Sequence, residues 1–143
     1  MMEGAQWLYP VIPFAAWLCS GTLKYLINRV RFGAQAKEHI GNGGFPSTHT
    51  SVISSITMLI GFEQGFATPL FGLAAAMTYI VMIDAVGIRR AVGDSARWIN
   101  TLSREHGEER RSRLREKQGH TRPEVLGGLI VGTLLAWAAS SML

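Results

Sequence analysis

The chain has 143 residues, about the length of one domain, and only 17% of them are charged, against roughly 25% in soluble proteins. Hydrophobic residues make up 48% of the chain, an ordinary fraction, but the low charged fraction together with 16 glycines favours a membrane protein. The single cysteine, Cys19, excludes an internal disulfide and a cysteine-based zinc site, and a net charge of +4 does not by itself indicate nucleic-acid binding.

The distribution of charge predicts several membrane spans. All 14 lysines and arginines lie in residues 24–37 and 89–122, so three apolar regions alternate with two basic ones. Basic segments next to membrane spans lie preferentially on the cytoplasmic side. We therefore expect both basic windows to face the cytoplasm from the cell (inner) membrane, with both termini outside.

The first apolar region, residues 7–27, has about the 20 residues that a membrane-spanning helix needs. Trp7 and Tyr9 at its start are typical of residues at a membrane interface. A cleaved signal peptide is the alternative, but no basic residue precedes the apolar run, as a signal peptide would require.

The second apolar region, residues 51–86, is interrupted by Glu63, Gly65 and Pro69. These residues break helices, so the region predicts a helical hairpin. Its first arm is short for a span and would need to tilt, to thin the bilayer or to be sheltered by neighbouring helices. The two arms are expected over residues 47–62 and 68–86.

The last apolar region, residues 123–143, predicts a further span, in which Gly128 and Gly132 have the spacing that allows close contact with another helix. Before it, residues 89–119 are charged and favour helix. Their first half predicts an amphipathic helix on the membrane surface, and their second half a solvated charged segment rather than a nucleic-acid site. The apolar side of that helix would carry Ala91, Val92, Ala96, Ile99 and Leu102.

These elements together predict an all-α polytopic membrane protein, a single membrane-embedded domain of residues 1–143. A soluble helical domain is the alternative. The prediction is about four transmembrane helices, near residues 7–27, 47–62, 68–86 and 123–143, with a cytoplasmic helical insertion over about 89–119.

In this topology the unusual polar residues gather at the cytoplasmic ends of the spans. Lysine and arginine side chains next to the free backbone N–H groups of a helix N-terminus at Ser47 and Thr48 would form a phosphate site. The plainer alternative is that Ser47 only caps its helix. The candidate phosphate ligands are Lys24, Arg31, Ser47, Thr48, Arg89 and Arg90, with Asp84 and Asp94 as possible supporting residues.

Two histidines add a possible chemistry to this cluster. His120 and Glu124 are four residues apart, so the carboxylate can hold one imidazole nitrogen protonated and leave the other free as a nucleophile. His49 could then protonate a leaving-group oxygen, as expected for phosphoryl transfer through a phosphohistidine. Arginine and lysine would supply the charge stabilisation, so the scheme requires no metal or cofactor.

The motifs resemble those of the type 2 phosphatidic acid phosphatase (PAP2) family, which is related to vanadium haloperoxidases. Lys24 and Arg31 have the family's Lys-x6-Arg spacing, residues 46–49 (PSTH) match Pro-Ser-Gly-His, and residues 120–128 (HTRPEVLGG) are similar to His-x3-Asp. GGFPSTH and DAVGIRR look most like the divergent branch of small membrane proteins in that family. The likeness covers roughly residues 20–135.

The resemblance implies that His120 is the nucleophile, Glu124 its orienting partner in place of Asp, and His49 the general acid. This sequence departs from the family pattern in three places. Phe32 replaces a proline of the first motif, and Thr48 replaces a glycine of the second. The family's third motif is Ser-Arg-x5-His-x3-Asp, whereas here 29 residues separate Arg90 from His120.

The resulting hypothesis is a metal-independent phosphatase for a lipid phosphate monoester or pyrophosphate, with phosphatidylglycerol phosphate or phosphatidic acid favoured. The expected partners are the bilayer and the phosphorylated lipid, without nucleic acid, and a homodimer is possible. Two alternatives stay open: a membrane protein that binds or transports an anion or lipid headgroup without hydrolysis, and a structural membrane subunit.

Overall fold

The computed structural model describes residues 6–34, 43–106 and 113–142. These residues form helices and no strands, which confirms the all-α prediction. Residues 107–112, inside the predicted insertion, lie outside the described residues. The helices are α1 (Leu8–Phe32), α2 (Thr48–Gln64), α3 (Pro69–Val86), α4 (Ile88–Glu105) and α5 (Arg122–Ser140).

Three helical stretches of the described chain are long and apolar enough to cross a membrane: α1, Pro69–Glu105 and α5. The apolar part of Pro69–Glu105 is α3. The predicted span over residues 47–62 corresponds to α2, which is not among these three stretches. With 17 residues, α2 is about 25 Å long, shorter than a hydrocarbon core of about 30 Å.

Helix α2 lies at the centre of the fold, where α1, α3 and α5 all pack against it. Its sequence explains this position, because Thr50, Ser51, Ser54 and Ser55 are all buried and small enough for neighbours to approach closely. The Ser51 hydroxyl donates to the Ser47 carbonyl at 3.0 Å, within its own helix. Buried polar groups in α2 are therefore satisfied without water, and its neighbours shelter it as the short arm requires.

The closest approach is between α2 and α5. A Cβ atom added at Gly128 would lie 2.5 Å from the Ser47 carbonyl oxygen, and one at Gly132 would lie 2.0 Å from the Ser54 hydroxyl. Real Cβ atoms do not approach this closely, so only glycine fits at both positions. The predicted role of this glycine pair in close helix contact is confirmed.

The helices α1, α2, α3 and α5 alternate in direction, so each end of the bundle combines the N-termini of two helices with the C-termini of the other two. At one end Gln64 of α2 donates to the Tyr9 hydroxyl of α1 at 3.1 Å, and Ser140 of α5 donates to Glu63. The opposite end therefore collects the C-termini of α1 and α3 with the N-termini of α2 and α5. This is the end at which the sequence predicted a polar cluster.

Helix α4 follows α3 after a break at Gly87 and has two different sides. One side exposes apolar side chains, as the amphipathic pattern predicted, but Ala96, which was expected there, is buried with Gly93 and Asn100 on the other side. The other side packs on residues 113–118: Asn100 donates to the Leu114 carbonyl at 2.8 Å and accepts from the Leu114 amide at 2.9 Å. The described part of the predicted charged segment is thus a non-helical strap across α4. Exposed on the apolar side are Ile88, Val92, Trp98, Ile99 and Leu102.

Candidate active site

His120 lies immediately before α5 and is almost fully buried, with 2% of its surface exposed. Its Nδ1 is 3.0 Å from Oε2 of Glu124, the partner that the four-residue spacing predicted. The same carboxylate oxygen accepts the Thr121 backbone N–H at 3.0 Å, which closes the first turn of the helix. The backbone N–H of His120 donates to the Ala85 carbonyl of α3 at 2.8 Å, so both its ring and its main chain are fixed.

His49 lies in the first turn of α2 and faces His120. The two ring centroids are 6.0 Å apart and the ring planes make an angle of 64°. Their helices are joined by main-chain contact, because the Ser47 N–H donates to the Glu124 carbonyl at 2.8 Å. The structure thus brings together the two histidines that the sequence placed 71 positions apart.

Ser47 acts in the structure as a helix cap. Its hydroxyl accepts from the Thr50 N–H at 3.4 Å and from the Thr50 hydroxyl at 3.0 Å, and its side chain is fully buried. Its backbone N–H is occupied by Glu124. The sequence suggested that the N–H and hydroxyl of Ser47 bind phosphate, but both groups already make hydrogen bonds within the protein. Thr48, in contrast, is partly exposed.

Arg89 and Arg90 point to different places. The Arg89 Nε donates to Asp84, and its Nη1 lies 3.4 Å from Nε2 of His49. Arg90 instead packs on Gly119, where an added Cβ would lie 2.7 Å from the Arg90 backbone nitrogen. Asp84 therefore supports Arg89, and Arg89 is the arginine beside the histidines.

Lys24 projects from α1 into the same cluster. It is buried, with 6% of its surface exposed, and its side chain passes over Gly44, where an added Cβ would lie 3.9 Å from the lysine Cδ. Among the described residues no hydrogen bond or ion pair engages its ammonium group. A buried ammonium that makes no hydrogen bond or ion pair with the described residues, next to two histidines, is well placed to receive an anion.

Two cavities meet at His120. The first, which we call the histidine cavity, has a volume of about 620 Å³ and is lined by Lys24, Thr48, His49 and His120 together with apolar side chains. The second, the polar cavity, has a volume of about 470 Å³ and contains Arg31, Arg90 and Asp94. The predicted phosphate ligands are thus divided: Lys24 and Thr48 lie on one side of His120, and Arg31 and Arg90 on the other.

Burial lowers the pKa of His120 below its ordinary value of 6.5, because the charged ring would lose its hydration. The Glu124 carboxylate opposes this by hydrogen bonding, and the positive charges of Lys24 and Arg89 lower the pKa further. The ring is therefore neutral near pH 7. Glu124 holds Nδ1, so Nε2 carries the free lone pair that a nucleophile needs.

Sequence reasoning missed the residues that hold His120 in place through the main chain. Gly119 has φ +79°, and an added Cβ would lie 3.0 Å from the Ala85 carbonyl. A glycine directly before a candidate histidine was the available signal, because it marks a position of close backbone approach. Nothing in the sequence pointed to Ala85, which contributes only its carbonyl.

Comparison with known proteins places the chain in a family. The family model described as "Divergent PAP2 family" matches residues 8–135. The chain belongs to this family. A curated relative, "Uncharacterized membrane protein YuiD" of Bacillus subtilis (strain 168), is 31% identical over 107 residues, covering 65% of this chain and 68% of the relative. No solved structure matches.

Membership in the divergent PAP2 family confirms the resemblance drawn from the motifs. It also agrees with the helical fold, in which three stretches are long and apolar enough to span a membrane. Because the chain belongs to the divergent PAP2 family and has two facing histidines, phosphatase activity is the first function to test.

The two neighbouring arginines give a test of the divergent PAP2 site. We expect Arg89→Gln to lower phosphate release by about 100-fold or more, because it removes a charged donor beside the histidines. Arg90→Gln should cost less, since Arg90 lines the other cavity. Arg104→Gln, at the far end of α4, is the control. Steady-state rates on a phosphatidic acid substrate decide the matter, and an equal or larger loss at Arg90 would reverse the assignment.

Proposed function

We propose that this protein is a membrane phosphatase that hydrolyses a lipid phosphate monoester or pyrophosphate through a phosphohistidine at the cytoplasmic face. The observation that carries the proposal is the pairing of a neutral, buried His120, held by Glu124 at 3.0 Å, with His49 across a cavity that contains Lys24.

The reaction would proceed in two balanced steps. In the first, the Nε2 lone pair of His120 attacks phosphorus, the bond from phosphorus to the ester oxygen breaks, and His49 gives its proton to that oxygen. In the second, water attacks the phosphorus while His49 takes a proton from it, the nitrogen–phosphorus bond breaks, and phosphate leaves. Lys24 and Arg89 would stabilise the negative charge on the phosphoryl oxygens.

The contact between Arg89 and His49 defines the resting state of this proposed site. An arginine has only donors, so its Nη1 at 3.4 Å makes Nε2 of His49 an acceptor, without a proton to give. A bound phosphate would draw the guanidinium to its own oxygens and release that nitrogen. The acid role of His49 would then begin only once substrate is bound.

The walls of the histidine cavity support a lipid substrate. Apart from its polar end, the cavity is lined by Trp17 of α1, Val52 and Ile53 of α2, and Val81 of α3. Of the described helices, α1 and α3 both pack closely on α2 and make little or no contact with each other, so this apolar side lies between them. A phosphate at the polar end and an acyl or prenyl chain along the apolar side would match both surfaces.

Charge placement supports a site on the cytoplasmic face of the cell (inner) membrane, with both termini outside. A substrate from the cytoplasmic leaflet, such as phosphatidylglycerol phosphate or phosphatidic acid, suits this orientation. Cysteines introduced at Arg113 and Met142 in a Cys19→Ser background test it in intact cells. An impermeant maleimide should label position 142 directly and position 113 only after permeabilisation; the reverse pattern would show the opposite orientation.

The direct test of the function is a substrate panel with the purified protein. Phosphate release should be seen with phosphatidylglycerol phosphate, phosphatidic acid or a prenyl diphosphate, and should be slower with glycerol phosphate, which has no chain to occupy the apolar side. No release from any lipid, with a folded protein in bilayers, would remove the phosphatase proposal.

The pH dependence of release gives a second test, through Glu124. Nucleophilic attack needs neutral His120, so the acidic limb of the pH–rate profile should rise through the pKa of His120, which burial holds below 6.5. Glu124 raises that pKa, so Glu124→Gln should move the acidic limb to lower pH. The maximal rate of this variant should also fall by about 100-fold, because the tautomer is less firmly held. An acidic limb that moves upward, or does not move, would contradict the assignment.

A second candidate function is anion or lipid-headgroup binding without hydrolysis. The Arg89–His49 contact favours it, because a histidine that keeps accepting from arginine cannot donate a proton. Single-turnover measurements distinguish the two candidates: a phosphatase transfers one phosphate to His120 per active site, whereas a binding protein returns the lipid unchanged.

A further inference from the structure

A narrow groove runs between α3 and α5, outside the two cavities that meet at His120. Its volume is about 240 Å³, and none of the residues that line it lines the histidine cavity or the polar cavity. Helix α5 borders it from residue 122 to residue 129, a length of about 10 Å that starts at the end of the bundle carrying the histidines. All its lining side chains are apolar except Tyr79, which is amphipathic, and Arg122.

Arg122 supplies the charge of this groove. It is the first residue of α5 and is exposed. The nearby Glu124 carboxylate is engaged elsewhere, since it contacts Nδ1 of His120 and accepts the Thr121 N–H, each at 3.0 Å. No ion pair within residues 6–34, 43–106 and 113–142 engages Arg122. An arginine at the end of a span keeps its aliphatic part on apolar surface and extends its charge towards the headgroups.

The walls of the groove suit a flexible chain better than the helix of another protein copy. Helices in a membrane pack closely through small residues, and α5 uses Gly128 and Gly132 in this way against α2. The groove is bordered instead by large side chains, among them Met82, Ile83 and Leu129. Helices α3 and α5 both pack closely on α2 and only lightly on each other, which leaves a narrow apolar space between two helices of span length.

We propose that the groove between α3 and α5 binds one anionic phospholipid, with part of an acyl chain between the helices and the phosphate group at Arg122. The apolar walls match the chain, and a guanidinium matches the geometry of phosphate oxygens. Basic sites between membrane helices on the cytoplasmic side are a known form of lipid recognition. This lipid is a ligand and not a substrate, because the groove shares no residue with the histidine cavity.

The test measures lipid selectivity at the groove with a single tryptophan. Tyr79→Trp places the probe in the wall of the groove, in a full-length chain whose four natural tryptophans are changed to phenylalanine. Lipids with brominated chains quench tryptophan on contact, so titration in bilayers gives the relative affinity for phosphatidylglycerol and phosphatidylcholine. The affinity should favour phosphatidylglycerol at least about fivefold, because Arg122 attracts its net negative headgroup.

Matched variants locate this selectivity. Ile80→Trp puts the same probe on the next residue of α3, which is 64% exposed and does not line the groove, and it should show no preference between the two lipids. Adding Arg122→Gln to the Tyr79→Trp chain should abolish the preference. Adding Arg104→Gln instead, with the same loss of charge at the far end of α4, should leave it unchanged.

A second measurement guards against misfolding of the chain without natural tryptophans. Wild-type protein and its Arg122→Gln variant are titrated with phosphatidylglycerol, and the bound lipid is counted by native mass spectrometry. The variant should bind at least about fivefold more weakly, whereas Arg104→Gln should bind like the wild type.

Several results would overturn the proposal. No preference at Tyr79→Trp, or one that survives Arg122→Gln, would show ordinary contact with the bilayer. An equal preference at Ile80→Trp would show a general effect of the basic end. No quenching by either lipid would show a groove covered by protein, such as a second copy. No hydrolysis is measured, so the result does not depend on the proposed phosphatase activity.

Discussion

Replacing His120 with alanine should lower phosphate release from lipid phosphates by at least about a thousand-fold, since it removes the proposed nucleophile. The imidazole ring of His120 lies between the two cavities, and its Nδ1 is 3.0 Å from Oε2 of Glu124. Its main-chain bond to Ala85 does not depend on the side chain, so the local fold should persist. The measurement is initial-rate phosphate release from phosphatidic acid in nanodiscs.

Two controls separate chemistry from folding in this experiment. His120→Asn keeps a polar group within reach of Glu124 and should be folded but equally inactive. His106→Ala removes an exposed imidazole whose ring contacts the Leu102 carbonyl at 2.9 Å and lies outside the candidate site, so this variant should stay active. With a lipid substrate that carries radioactive phosphorus, the wild-type protein should acquire an acid-labile radioactive phosphoryl group. The His120 variants should acquire none. Full activity of His120→Ala, or label at another residue, would remove the proposed mechanism.

Replacing Gly128 with leucine should have the largest effect on stability. A Cβ atom there would lie 2.5 Å from the Ser47 carbonyl and 2.8 Å from the Thr50 Cβ, so α2 and α5 would have to separate. Overpacking of this kind typically costs about 1–3 kcal/mol, and a leucine at this tight contact between two helices should reach the upper end. Thermal unfolding in detergent measures the loss.

Gly72→Leu is the matched control for this helix glycine, because nothing lies within 4 Å of a Cβ added on α3 at that position. The same gain in helix propensity and apolar surface should leave its stability close to that of the wild type. Equal unfolding temperatures for the two variants would show that the α2–α5 contact is not tight. Activity should fall with stability at position 128, since Ser47 and Glu124 are joined across this contact.

Local patterns in the sequence predicted those parts of the fold that depend on neighbouring residues. Long apolar runs predicted α1, α3 and α5, and the four-residue spacing predicted the His120–Glu124 contact. The pair Gly128 and Gly132 predicted close helix packing. Each of these features is decided by one helix or by the contact of two, so the residue pattern is sufficient.

Other features depend on how several segments meet, and there the sequence was insufficient. The sequence predicted that α2 is short for a span, but its central position among three neighbouring helices is a tertiary property that the sequence did not decide. Ser47 is buried by the same packing. Arg31 has the family spacing from Lys24, yet about two turns of helix place them in different cavities. Motif spacing gives position along the chain but not which side of His120 a side chain reaches.

The main-chain bond between His120 and Ala85 has a consequence for how this family can vary. Ala85 precedes the insertion and Glu124 follows it, so the position of the His120 ring is fixed largely by residues on either side of the 29 residues that separate Arg90 from His120. Additions or deletions in that stretch that leave Gly119 in place need not displace the imidazole. The insertion is therefore a segment whose length can change while the two histidines keep their spacing.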